Sequence, residues 1–231
     1  MIFTRRLYCV FGMVLALGLT SAVAKADFTN FANGDFAQFN YNHNPSDTAT
    51  GPTTTSSPPG IKLTGLAFGE TRSLFSKNLQ PTTTFNASFL YQDLSAIADG
   101  SFANNPGFTF AISNDSRTFN AVGSGNGYGY TGISPSTGVF FSLGNSTGVL
   151  TNGVVSGSGN ALHNVNLASG HPINVQLSYV GQTLTEVLTD MSSLQSDTIV
   201  NSFVSLPTSA YIGITANTFN GVEQLLSLIH I

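Results

Sequence analysis

Short runs of alternating or continuous apolar residues recur along the chain, and glycine, asparagine, proline, serine and threonine separate them. A period of two places successive side chains on opposite faces of a strand, whereas an amphipathic helix repeats every three to four positions. No helical period persists anywhere in the sequence. The even spacing of short strands predicts an all-β sandwich. The predicted strands cover 36–42, 60–65, 71–76, 83–92, 107–113, 138–144, 173–180, 183–190, 199–204 and 210–216.

Two connections between these strands carry signals of their own. Residues 44–59 are rich in proline, serine and threonine, and we predict a surface loop there. Gly181-Gln182 is a two-residue turn signal, so the flanking strands are predicted to form a hairpin in which Leu184 and Val187 continue the core pattern. Glu186, on the second strand of the hairpin, is predicted to face solvent.

Both ends of the chain are predicted to lie outside the folded domain. Residues 1–26 combine Arg5 and Arg6, an apolar run and an Ala-x-Ala site, which are the features of a secretory signal peptide. The last six residues, LSLIHI at 226–231, match one reading frame of a widely used sequencing adapter, so we expect the native C-terminus to be missing. The alternative is a genuine edge strand, which the apolar content permits. Residues 27–225 then form one domain, secreted or displayed at the cell surface.

Composition removes several classes of function. The single cysteine, Cys9, lies in the predicted signal peptide, so the mature chain has no disulfide. Four basic residues remain after residue 26, against eleven acidic ones, which gives a net charge of −7. No basic cluster is present to neutralise phosphates, so nucleic acid is excluded as a partner. No mature segment is long and apolar enough to be a transmembrane helix.

A series of motifs carries a family resemblance. GFTFAISNDS is followed by a glycine-rich loop ending in GYGYTGIS and then by GVFFSL, NSTGVLTNG, SGHPINVQLSYVGQTLTEVLTD and AYIGITANTFNGVEQ. In this order, over residues 28–225, the motifs resemble the L-type (legume-type) lectin domain, particularly its secreted bacterial members. The resemblance implies a two-sheet antiparallel jelly-roll sandwich of the concanavalin-like kind, with sugar-binding loops at the concave end of a curved front sheet. It also implies neutral glycans or polysaccharide as partners, and it leaves the oligomeric state open.

The resemblance assigns sugar contacts to several loops. In the family, the glycine-rich loop, residues 122–130 here, passes close to the sugar and offers backbone N–H donors, an approach that glycine permits. Gly125, Asn126 and Gly127 occupy that loop. Tyr128 or Tyr130 stacks on a pyranose face in this interpretation. In the alternative interpretation the loop is purely structural and Tyr130 is a core tyrosine.

The acidic sugar ligand of the family departs from its usual place. The family reads Ala-Asp-Gly just before the GFTF-like strand, where this chain has Asn105-Pro106-Gly107. An Ala-Asp-Gly triplet occurs seven residues earlier, around Asp99. Either Asp99 folds back into the site or Asn105 replaces it, unless Asp99 is a solvated turn residue. A further predicted sugar-binding loop covers residues 217–221. It supplies Asn217 as a candidate sugar contact and Phe219 as a candidate stacking residue.

The metal ligands of the family are also missing. Phe140 stands at the position of the family's Glu, Ser142 stands at that of its Asp, and the ligand loop that follows is shortened. Calcium requires about six to eight oxygen ligands, carboxylates among them. We therefore predict that the family's calcium and manganese site is lost and that the protein has no cofactor. Asn145 is either a remnant of the sugar-contacting Asn or a turn residue.

Glycosidases share this architecture, so the fold alone leaves an enzyme open. Their chemistry needs two carboxylates about 5–10 Å apart. The one close pair, Glu186 and Asp190, lies on a predicted hairpin strand without aromatic neighbours, and we predict that both are solvated. His171 is predicted to make a turn hydrogen bond. The sequence thus predicts a secreted, non-catalytic carbohydrate-binding domain; the alternative is a lectin-fold structural or adhesive surface module without sugar binding.

Overall fold

The structure is a computed structural model that describes residues 38–44, 53–56, 59–65, 69–94, 106–124, 127–156, 159–202, 204–218 and 224–230. This part of the chain is built mainly of strands, with a short 3-10 helix at Thr118–Asn120. In chain order the strands are β1 Phe39–His43, β2 Thr53–Ser56, β3 Pro59–Thr64, β4 Thr71–Ser76, β5 Gln80–Pro81, β6 Phe85–Asp93, β7 Gly107–Ser113, β8 Ser136–Ser142, β9 Ser146–Thr151, β10 Asn160–Ala161, β11 Ile173–Val180, β12 Thr183–Asp190, β13 Ser196–Asn201, β14 Ser209–Asn217 and β15 Gln224–His230.

The strands form two antiparallel sheets that pack face to face. The eight-stranded front sheet has the order β1-β4-β14-β7-β8-β9-β10, with β5 paired to β14. The seven-stranded back sheet has the order β13-β12-β11-β6-β15-β3-β2. The predicted all-β sandwich is therefore confirmed. No helix in the described ranges has the length and apolar character needed to cross a bilayer.

The main core lies between the sheets, and alternation along the strands places its residues there. Alternate residues of β7 and β8 are all buried in this core: Phe108, Phe110, Ile112, Val139 and Phe141. The Phe108 ring stacks on Phe141 at 4.7 Å between centroids and on Tyr91 of the back sheet at 4.5 Å. Aromatic contacts of this kind hold the two sheets together beyond the burial of area.

A second apolar cluster covers the outer face of the front sheet. The residues after β7 fold back over that face, and the cluster contains Phe75, Ala111, Ala121, Tyr128, Tyr130, Ile133, Phe140 and Leu150. Strand β8 is consequently buried on both faces, with Phe141 turned toward the back sheet and Phe140 turned outward. This double burial explains why GVFFSL is a continuous apolar run rather than an alternating one.

The predicted hairpin is confirmed, but its facing pattern is not. Val180 pairs with Thr183, and Gly181 and Gln182 both have positive φ (57° and 67°), as a type I′ turn requires. The strand alternates strictly, so Leu184, Glu186 and Leu188 point into the core and Val187 points away from it. Counting Val187 as a core residue and Glu186 as solvated was wrong, because the period of a strand is two.

Several segments differ from the sequence expectations. β2, Thr53–Ser56, lies within the predicted loop 44–59 and pairs with β3. β9, which the list of predicted strands lacks, pairs with β8 and β10. The tail residues 226–230 belong to β15, which lies between β6 and β3. The edge position considered for this tail is therefore wrong, because β15 has a partner on both sides.

Candidate functional site

Several loops meet at one end of the front sheet. Gly107 begins β7 and Asn217 ends β14, and the two are register partners. On its other side Gly107 faces Ser142, the last residue of β8. The N–H of Leu143 donates to the carbonyl of Pro106 at 3.1 Å, which joins the β8–β9 turn to the segment that precedes β7. The ends of the loops around 98–106, 143–145 and 217–221 are thus adjacent.

The glycine-rich loop reaches the same end from above the sheet. The backbone carbonyl of Tyr128 accepts hydrogen bonds from the hydroxyls of Thr215 (3.0 Å) on β14 and Thr109 (3.3 Å) on β7. Gly129 has φ = 69°, and a Cβ added there would lie 2.5 Å from the carbonyl oxygen of Ala216. Only glycine allows the loop backbone to lie this close to β14, which explains the near absence of side chains at this point.

The two tyrosines of the loop are buried rather than exposed to a ligand. Tyr128 is 5% exposed, and its ring stacks on Phe140 with 4.7 Å between centroids and 11° between planes. Tyr130 is fully buried, and its hydroxyl lies 2.5 Å from the Oγ of Ser136. Burial raises the pKa of both phenols, and hydrogen bonds with Ser142 and Ser136 partly offset this. The stacking role predicted for these rings is therefore corrected: neither offers a free face to a sugar.

Phe140, which stacks on Tyr128, and Ser142 occupy the two positions where the family resemblance places metal-binding carboxylates. Phe140 packs so closely that a Cβ on Gly159 would lie 2.4 Å from its Cζ. The Oγ of Ser142 accepts from the N–H of Gly144 at 3.1 Å and also bonds the Tyr128 side chain. Neither residue fits a calcium ligand set, which is built on carboxylates. Across the described ranges, no three His, Cys, Asp or Glu side chains are grouped closely enough to hold a metal ion.

Asn145 ties the β8–β9 turn to the segment after β10. Its Nδ2 donates to the carbonyl of Leu162 at 2.9 Å, and its Oδ1 accepts from the N–H of Leu167 at 3.3 Å. Its φ of 64° places it in the left-handed region that asparagine tolerates in turns. The geometry favours the turn role over the sugar-contacting one, because both ends of the amide already have partners.

The other predicted sugar contacts divide into two groups. Asn217 is buried at the end of β14, and Gly127 is buried in the loop, where its carbonyl accepts from the N–H of Tyr130 at 2.9 Å. The remaining predicted contacts lie outside the described residues: Asp99, Asn105, Gly125, Asn126 and Phe219.

Sequence reasoning missed a charged pair at the base of the glycine-rich loop. The Nε of Arg117 donates to Oδ1 of Asp115 at 2.8 Å, and its Nη2 donates to Oδ2 at 2.6 Å. The side-chain hydrogen bonds from Arg117 lower the pKa of Asp115 to about 2, against the opposing effect of burial. The same guanidinium donates at 2.9 Å to the carbonyls of Val122 and Gly132. The only local signal was the sequence NDSR directly after an apolar strand.

The two carboxylates weighed for catalysis are both engaged, so their predicted solvation was wrong. Glu186 lies between the sheets within hydrogen-bond distance of Thr147 and Asn201, both at 2.6 Å, and burial raises its pKa to about 7. Asp190 bonds His171 at 2.8 Å and the N–H groups of Ser192 and Ser193. Burial raises the pKa of Asp190, but these hydrogen bonds outweigh it and lower the pKa to about 2.

Their spacing also argues against a catalytic pair. The two residues are four positions apart on one strand, which corresponds to a backbone separation of about 13 Å. A glycosidase pair needs carboxyl groups about 5–10 Å apart across a cleft. Glu186 is instead enclosed between two sheets, where no glycan can reach it.

Comparisons with known proteins show the fold. No family model and no curated protein matches the chain. Basic winged bean lectin with Tn-antigen is similar in structure, with a TM-score of 0.66 at 20% identity over 89% of this chain and 94% of that one. Arcelin-5, a lectin-like defense protein from Phaseolus vulgaris, gives 0.64 at 15% identity, covering 87% and 95%. The exoplasmic/lumenal domain of VIP36 bound to Ca²⁺ and Man3GlcNAc gives 0.59 at 13%, covering 84% and 82%.

The protein thus has the fold of the L-type lectins, a concanavalin-like jelly-roll sandwich. The expectation drawn from the motif order is confirmed at the level of the fold. At these identities the likeness shows architecture, and function has to be argued from the site.

Proposed function

We propose that the protein is a non-catalytic carbohydrate-binding domain that binds neutral glycans where the glycine-rich loop meets the ends of β7 and β14. The observation that carries the proposal is the docking of that loop: the carbonyl of Tyr128 is held by hydroxyls from both strands, next to the paired Gly107 and Asn217. Similar structures carry names that include Tn-antigen, galactose and Man3GlcNAc, which supports a glycan as the ligand class.

The chemistry of this end of the molecule suits an uncharged ligand. The paired ends of β7, β8 and β14 include glycine, threonine, serine and asparagine, which offer backbone and neutral side-chain hydrogen bonds. Neutral groups of this kind bond sugar hydroxyls without a counter-charge. Within the proposal, Asp99 or Asn105 supplies an acceptor, Asn126 and its flanking glycines supply donors, and Phe219 supplies the stacking face in place of the buried Tyr128.

The proposed site does not depend on a metal ion. In place of carboxylates, the Tyr128–Phe140 stack attaches the glycine-rich loop to β8. Export through the predicted signal peptide, residues 1–26, and a bacterial, extracellular setting belong to the same proposal. The wide spacing of Glu186 and Asp190 and the burial of Glu186 support binding rather than hydrolysis.

The test is titration of the purified protein with methyl-α-D-galactoside, mannobiose and a glycan array, with calcium and with chelator. We expect an affinity of about 1 mM, or about −4 kcal/mol, because a shallow site gains little area on binding. Binding should be equal in both conditions. Phe219→Ala should weaken binding without changing the melting temperature, whereas Leu79→Ala, an exposed apolar residue with no part in the proposed site, is the matched control.

A second candidate is a lectin-fold structural or adhesive module that binds no sugar. The burial of Tyr128 and the engagement of both ends of the Asn145 amide favour it, because each removes a predicted sugar contact. Absence of binding to every glycan on the array, by a folded protein, would overturn the carbohydrate-binding proposal in favour of this module.

A further inference from the structure

The guanidinium of Arg117 connects two backbone carbonyls that flank the glycine-rich loop. Val122 begins the loop and Gly132 follows it, and each carbonyl accepts from a different terminal nitrogen of Arg117 at 2.9 Å. Between them, the N–H of Ser124 donates to the carbonyl of Thr131 at 3.0 Å. Gly123 also packs against the returning chain, since a Cβ there would lie 2.0 Å from the carbonyl oxygen of Gly129. The two arms of the loop, residues 122–124 and 131–132, are therefore joined. We call this junction the neck of the loop.

Asp115 fixes the direction in which the guanidinium points. Its carboxylate takes two parallel hydrogen bonds from Arg117 and a further one from the N–H of Ser134 at 2.9 Å. The N–H of Asp115 itself donates to the Oγ of Ser113 at 3.0 Å, so the pair is anchored to the end of β7. A planar guanidinium can satisfy a carboxylate on one edge and carbonyls with its remaining donors, whereas an ammonium cannot present this arrangement.

The position of the pair separates it from the core. The Asp115 side chain is 5% exposed while that of Arg117 is 42% exposed, so the guanidinium sits at the surface over the neck. Such a half-exposed ion pair contributes little to global stability. Its specific effect is that one rigid guanidinium bonds two backbone carbonyls that lie ten positions apart in the chain.

We infer that Arg117 is a positioning residue for neutral glycan binding, which it supports by holding the neck of the glycine-rich loop closed. This inference rests on the proposed function of that loop. A loop already held in its binding conformation loses less conformational entropy when the ligand binds, and preorganisation of this kind raises affinity without adding a contact. Arg117 itself need not touch the sugar.

The experiment compares the wild type with Arg117→Met, Arg117→Lys and the control Lys77→Met, which removes an exposed charge from the turn after β4. Three properties are measured: the melting temperature, amide hydrogen exchange at Ser124 and Gly132, and the affinity for methyl-α-D-galactoside and mannobiose. In Arg117→Met we expect exchange at these two amides to rise at least about tenfold, because local opening governs exchange. Exchange at Leu177 in the back sheet and the melting temperature should change little.

Affinity for the glycan that the wild type binds should fall about tenfold in Arg117→Met, which is one step on the logarithmic affinity scale. Arg117→Lys should behave like Arg117→Met, because lysine keeps the charge but lacks the planar guanidinium that bonds both carbonyls. Wild-type exchange and affinity in Arg117→Lys would show that charge alone matters and would overturn the inference. Unchanged exchange at Ser124 and Gly132 would overturn it too, even with glycan binding intact. Faster exchange with unchanged affinity would show that Arg117 closes the neck without positioning the ligand, and it would also overturn the inference. A wild type that binds neither these two sugars nor any glycan on the array refutes the proposed function, and the glycan role of Arg117 with it, whatever the exchange shows.

Discussion

Substitution of Glu186 by glutamine tests the chemistry of the interior most directly. The Oγ1 of Thr147 lies 2.6 Å from Oε2 of Glu186 and 2.7 Å from the carbonyl oxygen of Phe140. A threonine hydroxyl has one proton to donate, so it can serve only one of these two acceptors. All three groups are satisfied when Glu186 is protonated: its O–H donates to Thr147, Thr147 donates to Phe140, and Nδ2 of Asn201 donates to Oε1 of Glu186.

The magnitude follows from the pKa of this carboxyl group. Burial raises it from 4.5 to about 7 in the folded protein. One pKa unit corresponds to about 1.4 kcal/mol, so ionising Glu186 costs the folded state about 3 kcal/mol. Because the folded pKa is the higher one, the stabilisation by neutral Glu186 is complete below pH 4.5 and is lost as the pH rises through about 7.

The assay is denaturant unfolding of the wild type and Glu186→Gln at pH 4.5 and at pH 8. Glutamine is neutral at both values, and its Nε2 can donate to Thr147 as the protonated acid does. We expect the two proteins to differ by less than about 1 kcal/mol at pH 4.5, and glutamine to be more stable by about 3 kcal/mol at pH 8. Equal pH dependence of the two proteins, or a glutamine variant less stable at pH 8, would refute the proton assignment.

Three further outcomes are expected. Calcium and chelator should give the same melting temperature, because Phe140 and Ser142 replace carboxylates; a rise of several degrees with calcium would contradict this. Gly129→Ala should destabilise by at least about 2 kcal/mol in denaturant unfolding, because the new Cβ meets the backbone of Ala216, whereas Gly181→Ala, which meets nothing within 4 Å, should cost only about 1 kcal/mol. Asp115→Asn should lower stability by about 1 kcal/mol at pH 7, and the difference should be lost as the pH falls through about 2, where wild-type Asp115 becomes protonated; a difference that persists in stronger acid would contradict the ion-pair account.

The strands could be predicted because their signal is local. Residues 107–113, 173–180 and 183–190 have the predicted bounds, since alternation of apolar and polar residues reports the pleat directly. β2 was missed because it is a run of threonine and serine at the end of the back sheet, and such a run has the composition of a loop. Composition alone cannot separate an edge strand of this kind from a turn segment.

The interior polar groups could not be predicted because their partners are remote. The environment of Glu186 comes from Thr147, 39 positions earlier and in the other sheet. Arg117 bonds backbone carbonyls, which any residue could supply, so no side-chain pattern marks its acceptors. The Gly-Tyr-Gly-Tyr run indicated a close backbone approach, and the approach exists, but the run does not say which way the rings turn.

The direction of the Tyr128 ring changes how the candidate site is built. A metal ion fixes a loop only while it is bound, so the order of the loop depends on the ion concentration. Here the loop is attached by the Tyr128–Phe140 stack, by two threonine hydroxyls on the Tyr128 carbonyl, and by the neck that Arg117 closes. Each attachment forms when the sandwich folds, and an aromatic pair adds about 1 kcal/mol beyond its burial. Replacing Phe140 by leucine should therefore loosen this loop in the way that chelation loosens a metal-dependent one, because the ring contact that attaches the loop to β8 is lost.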